Sequence, residues 1–137
     1  MSPRLRLFGG GKKVEELNKR SLELEQAMGP RPTVAQLEQL RLVLEQLCEA
    51  GYWPAHKSLA NLYGKLIWVT LDWGETDFDE VSDVTKRGHI TSYAALGLLQ
   101  LRIFCERGGK EIDADAAANV ERYRKEFLKY DPRHRQA

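Results

Sequence analysis

The sequence is poor in cysteine, with two in 137 residues, and that scarcity excludes a disulfide scaffold or a four-ligand zinc knuckle. Both thiols, Cys48 and Cys105, fall inside apolar helical patterns, where free cysteine behaves as a small hydrophobe, so both are expected to be buried and reduced. Net charge is almost absent as well, at +1, which leaves no global field to draw the chain onto nucleic acid or acidic lipid. No apolar run reaches the length of a membrane-spanning helix, and "MSPRLRLFGGGKK" lacks a signal-peptide core. A cytoplasmic location is the expectation. Three scattered histidines, His56, His89 and His134, have no ligand three or four residues away, so neither metal nor cofactor is expected. The carboxylates of "DFDEVSD" are read as helix-start residues favoured by the macrodipole rather than as an oxygen-ligand site. "GGGK" has no preceding strand and no following Ser or Thr, and nucleophile motifs are missing; no enzymatic activity is expected.

What the chain does hold is helical periodicity. Residues 1–11 read as a flexible basic tail, with Leu5, Leu7 and Phe8 as anchors of a docking arm. Residues 12–131 read as one helical domain and residues 132–137 as a second tail. Val14, Leu17, Leu24 and Met28 form one stripe, ended by "GPRP". "TVAQ" is a capping box, Thr33 with Gln36, opening a helix with Leu37, Leu40, Leu44 and Leu47, widened by Leu42 and Val43 and ended by Gly51. Pro54 opens the next, which runs to about Gly74. A shorter helix is expected from Thr76, bearing Phe78, Val81 and Val84 and closed by Gly88. Thr91 or Ser92 opens another, with Leu96, Leu99, Leu101, Ile103 and Phe104. Asp113 caps the last, with Ala117, Val120, Tyr123 and Phe127. The fold class is all-α, about six helices in stacked antiparallel hairpins.

The pattern echoes itself. With Gly51 set over Gly88, Leu59 falls on Leu96, Ala60 on Gly97 and Leu62 on Leu99. Ala60 and Gly97 are small enough to let two helices approach closely. "G-YWP-A-HKS-LA-N-LY", and less fully "G-HIT-S-YAA-LG-L-LQ", resembles the Sel-like subfamily of tetratricopeptide repeats over residues 44–127, about two units. The loop "LDWGETD" lacks that family's glycine-rich connector. The resemblance implies that first helices of successive units line a concave groove that holds a partner protein.

On that basis the expected groove comprises Lys57, Asn61, Lys65, Trp68, Asp72, Leu98 and Arg102. Trp68 is its anchor because it shares a stripe with polar residues. Asp77, Asp79, Glu80 and Asp83 form an acidic rim in a stretch, 72–83, with six acids and no base. The expected function is a protein–protein interaction module: an adaptor, a secretion-system component, or an immunity protein capping a basic toxin. A homo-oligomer is a further expectation, since two repeats expose end faces and the 12–28 helix either caps one end or pairs with its copy. The alternative is nucleic-acid binding through Arg122, Arg124, Lys125, Lys129, Arg133 and Arg135, with Tyr123 and Tyr130 nearby. A near-neutral chain makes nucleic acid the weaker expectation.

Overall fold

The computed structural model describes residues 11–133, and Leu5, Leu7, Phe8, His134 and Arg135 lie outside them. Among the described residues there are α-helices and 3₁₀ turns and no strand. The helices are α1 (Gly11–Ala27), α2 (Val34–Glu49), α3 (Ala55–Thr70), α4 (Val84–Gly108) and α5 (Ala114–Leu128). The all-α class stands, with five α-helices among the described residues where about six were expected of the chain.

Local chemistry explains the ends. The Thr33 hydroxyl accepts from the Gln36 amide at 3.1 Å while Gln36 accepts from the Thr33 amide at 2.9 Å, a closed capping box at the head of α2. At its foot Gly51 adopts φ 87°, and the amides of Gly51 and Tyr52 return to the carbonyls of Cys48 and Leu47, both at 3.0 Å. That pair of bonds is a Schellman motif, and its left-handed residue is why glycine stands there. Asp113 caps α5 through the Ala116 amide at 2.8 Å.

The segment between α3 and α4 departs from expectation. Thr76 opens no helix, and Phe78–Glu80 is a single 3₁₀ turn. Asp83 is the cap, accepting from the amides of Thr85 and Lys86 at 2.8 and 3.2 Å. One helix of 25 residues then runs through Gly88 to Gly108. Thr91 opens nothing; its hydroxyl donates back to the Arg87 and Gly88 carbonyls. Arg87 explains why the turn stays a turn. It donates from one Nη to the carbonyls of Phe78 and Val81, at 2.7 and 3.1 Å, with its guanidinium 4.2 Å above the Phe78 ring.

The echo is therefore one of sequence and not of surroundings. Gly51 ends a helix and Gly88 lies inside one; Leu59 is 3% exposed and Leu96 36%. The buried stripe of α4 is Ile90, Ala94, Gly97, Leu101, Phe104 and Gly108 at three–four spacing; Leu101 and Phe104 are buried as expected, whereas Leu96 and Leu99 face outward. In α2, Leu42 is also exposed while Val43 is buried.

The most extensive helix interface lies between α3 and α4. Trp53 meets Phe104 with ring centroids 5.3 Å apart, His56 meets Gln100 at 2.6 Å, and Tyr63 stacks near Tyr93 at 6.3 Å. Partner numbers fall as α3 numbers rise, so the two helices run antiparallel over about 15 Å. α1 packs on α2 within the chain, burying Val14 and Ser21. Among the described residues no helix is long and apolar enough to cross a membrane.

The two glycines of the echo make a direct test. Gly88→Ala, in a helix with open space around the added methyl, raises stability by about 0.5–1 kcal/mol in urea denaturation. Gly51→Ala lowers it by about 1 kcal/mol or more, because φ 87° strains any side chain. Equal effects at both positions would restore the repeat register.

Candidate functional site

α5 has two buried side chains, Val120 and Phe127, and the second makes the closer contact with backbone. Phe127 is 3% exposed, and its ring lies so close to the backbone of α4 that a Cβ on Gly97 would stand 2.4 Å from its Cζ. A Cβ on Gly64 of α3 would stand at an ordinary 3.8 Å. The ring thus sits in a seat that only a residue without a side chain at position 97 leaves free. Gly97 is a close-approach residue, as expected, but it receives a ring from α5. Beyond the end of α5, Tyr130 meets Phe78 edge-on with centroids 5.2 Å apart, joining α5 to the turn that Arg87 pins.

Because α5 is seated along its Phe127–Val120 edge, its two flanks stand over clefts. The first is a groove of about 1000 Å³ between α4 and α5. From α4 it takes Thr91, Ala95, Leu98, Leu99, Arg102 and Cys105, and from α5 Val120, Glu121, Arg124 and Leu128. The α4 residues span roughly 21 Å, about four helical turns. Its rim carries two exposed ion pairs, Arg102–Glu106 and Arg124–Glu121 at 3.7 Å, and a third, Arg133–Asp131 at 3.3 Å, whose carboxylate is largely covered.

The second cleft, about 450 Å³, opens between α3 and α5 and is walled by Trp68, Tyr123, Phe127 and Tyr130. Trp68 is 49% exposed, yet its indole rests on Gly74, where any Cβ would collide with it. Asp72, Trp73 and Gly74 have φ of 51°, 59° and 88°, three left-handed residues in succession. Such a backbone costs about 1–3 kcal/mol at a non-glycine residue, more for tryptophan than for aspartate. The turn sends Trp73 into a smaller cleft of about 260 Å³ beside Met28, Pro30 and Pro32, and brings Gly74 under Trp68.

The expected single groove floor is divided. Asn61, Lys65 and Trp68 share the α3–α5 cleft, whereas Leu98 and Arg102 line the α4–α5 groove. α5 itself occupies the face between them, which is the physical reason for the correction. Lys57 and Asp72 line none of the three clefts. Asp72 instead accepts from the Thr76 hydroxyl at 3.3 Å. Of the acidic rim, Asp83 is occupied in capping, Asp77 precedes the 3₁₀ turn, Asp79 and Glu80 belong to it, and none of the four lines any of the three clefts. The Tyr123, Phe127 and Tyr130 stripe is the part the sequence reading left out of the site, although its four–three spacing was visible. Of the basic residues proposed for nucleic acid, Arg124, Lys129 and Arg133 are each held by a nearby carboxylate.

The titratable groups are modest. Cys48 is half-buried, and burial pushes its thiol up to about 12. Cys105 is exposed, contrary to expectation; its residual burial, then Glu121 and Glu106, raise its pKa. His56 is buried, with Nδ1 on the Gln100 oxygen and Nε2 without a partner. Burial lowers its pKa, the Gln100 bond opposes that, and Arg107 lowers it further. No group of three or more metal-ligating side chains occurs among the described residues. No protein-family model, curated protein or solved structure matches the chain.

Gly97→Ala is expected to cost about 1–3 kcal/mol by overpacking, and to cost less than half of that when Phe127→Leu is already present. A double-mutant cycle in urea checks this, and additive effects would contradict it. For His56, a lowered folded-state pKa means stability present above about pH 6.5 and lost as pH falls from there through the folded value. Thermal melts between pH 7.5 and 5.5 should show that decline, and the pair His56→Leu/Gln100→Leu should flatten it.

Proposed function

We propose that the chain is a non-enzymatic interaction module that takes an amphipathic helix of another protein into the α4–α5 groove. The observation that carries this reading is the groove's floor. Leu99 is 39% exposed and Leu98 half-buried, in a channel long enough for about four turns of a guest helix. Leucines left at the surface of a long groove are the usual mark of a protein contact. The rim defines the guest. Exposed pairs such as Arg102–Glu106 contribute at most about 1 kcal/mol, so each arginine can exchange its own carboxylate for one from a partner at little cost. The fitting helix is apolar along one stripe and acidic at its edges.

Adaptor, secretion-system component and immunity-type inhibitor remain the settings for such a module. An inhibitor of a basic toxin would use the acidic turn around Asp77 and Asp79 as well as the groove. The Sel-like likeness enters the proposal through the α2–α3 hairpin, which holds the fuller copy of the motif around its glycine turn. Nucleic-acid binding through α5 draws less support, because Arg124 within the helix and Lys129 just beyond it are each held by a carboxylate, which leaves a smaller basic patch.

Affinity purification of the tagged chain from its host, with mass spectrometry, tests the proposal. A stoichiometric protein partner should be retained by the parent and by Trp68→Ala and weakened at least about thirtyfold by Leu99→Asp, the loss of a hot spot worth roughly 2 kcal/mol. That partner should also shield Cys105, which lines the groove, from alkylation, while Cys48 stays unreactive throughout. Absence of any stoichiometric partner, or one held equally by Leu99→Asp, would overturn the reading.

A further inference from the structure

We propose that the α3–α5 cleft is a separate binding site for a small organic anion with a flat apolar body, an aryl carboxylate being the simplest case. Its size points to a small molecule. At about 450 Å³ it lies within the range of ligand pockets and is less than half the α4–α5 groove. Its walls point to a flat body. Trp68 of α3, Tyr123 of α5 and Tyr130 just beyond α5 line the same space, and Trp68 is held in place by the glycine beneath it. An indole that is half exposed and yet backed by Gly74 offers a fixed stacking surface at little entropic cost.

Charge settles the sign of the ligand. Lys65 and Arg122 both line the cleft, and among the described residues neither forms an ion pair. Arg122 donates to the Asn119 side chain at 2.8 Å and stands 5.6 Å over the Tyr123 ring, which orients it without neutralising it. The one carboxylate in the lining, Glu126, is held by Lys129 at 2.9 Å. Two unneutralised cations beside aromatic walls favour a carboxylate over a neutral head, and oppose an amine. A guest peptide helix is the less fitting occupant, because the space is less than half that of the α4–α5 groove.

Calorimetric titration of the full chain with 2-naphthoate, 2-naphthylmethanol and 2-naphthylmethylamine separates these cases, with tryptophan fluorescence as a second readout. The naphthoate should bind with Kd below about 1 mM and at least about tenfold tighter than the alcohol, while the amine does not saturate. Lys65→Gln, at a half-buried position, and Arg122→Gln, at an exposed one, both outside the buried core, should each weaken naphthoate about five- to tenfold, and Trp68→Ala should abolish its binding. Leu99→Asp should leave it unchanged, so failure here and failure of the groove proposal are distinguishable. Equal binding of the three probes, no saturation by naphthoate up to about 10 mM, or either Gln variant binding as tightly as the parent would overturn the assignment.

Discussion

A phenyl ring lying on bare backbone is the contact on which the surface of this protein depends. Phe127 can reach its place only because Gly97 has no side chain, and with the ring seated α5 is fixed against α3 and α4. Little else of α5 is deeply buried: Val120 is the second such residue, and Tyr130 adds an edge contact to Phe78. Removing a buried phenylalanine costs about 3–5 kcal/mol in general. For a helix with so few other anchors, a loss of that size decides whether it stays docked.

Docking α5 on one narrow edge has a geometric result. Each flank of the helix overhangs a neighbour, so one packed ring produces two clefts of different character. On the α4 side the lining is leucine with arginine at the margins, suited to a helix with a complementary apolar stripe. On the α3 side it is aromatic with two cations, suited to something smaller and negative. The strained turn at Asp72–Gly74 belongs to the same design. Three left-handed residues let Gly74 slide beneath the Trp68 indole and turn Trp73 toward the α1–α2 connection.

What could be read directly from the residues was local. The Thr33 capping box, the glycine that ends α2 and the Asp113 cap depend on groups within five residues of one another, and sequence displays such groups side by side. The 76–88 segment carries two competing local signals. A glycine at 88 reads as a stop, yet Asp83 caps the helix upstream of it, and a mid-helix glycine costs only about 1 kcal/mol relative to alanine. Arg87 then secures the turn through two carbonyls six and nine residues back, a bond no periodicity reveals. The same limit applied to the site. Trp68, Lys65 and Asn61 lie on one helix stripe and share a cleft, but Leu98 and Arg102 line another, and nothing in the sequence places α5 between them. The partner of Gly97 lies thirty residues downstream, and small-to-aromatic packing at that distance leaves no pattern in a single chain.

Hydrogen exchange followed by mass spectrometry on Phe127→Ala addresses the role of that ring most directly. If it is what holds α5, the amides of residues 114–128 should lose protection by two or more orders of magnitude, roughly the 3 kcal/mol minimum for such a truncation. The amides of α2, α3 and the first half of α4 should keep theirs. Unchanged protection in α5, or a uniform loss across every helix, would show that the ring is not what docks this helix and that the two clefts have another origin.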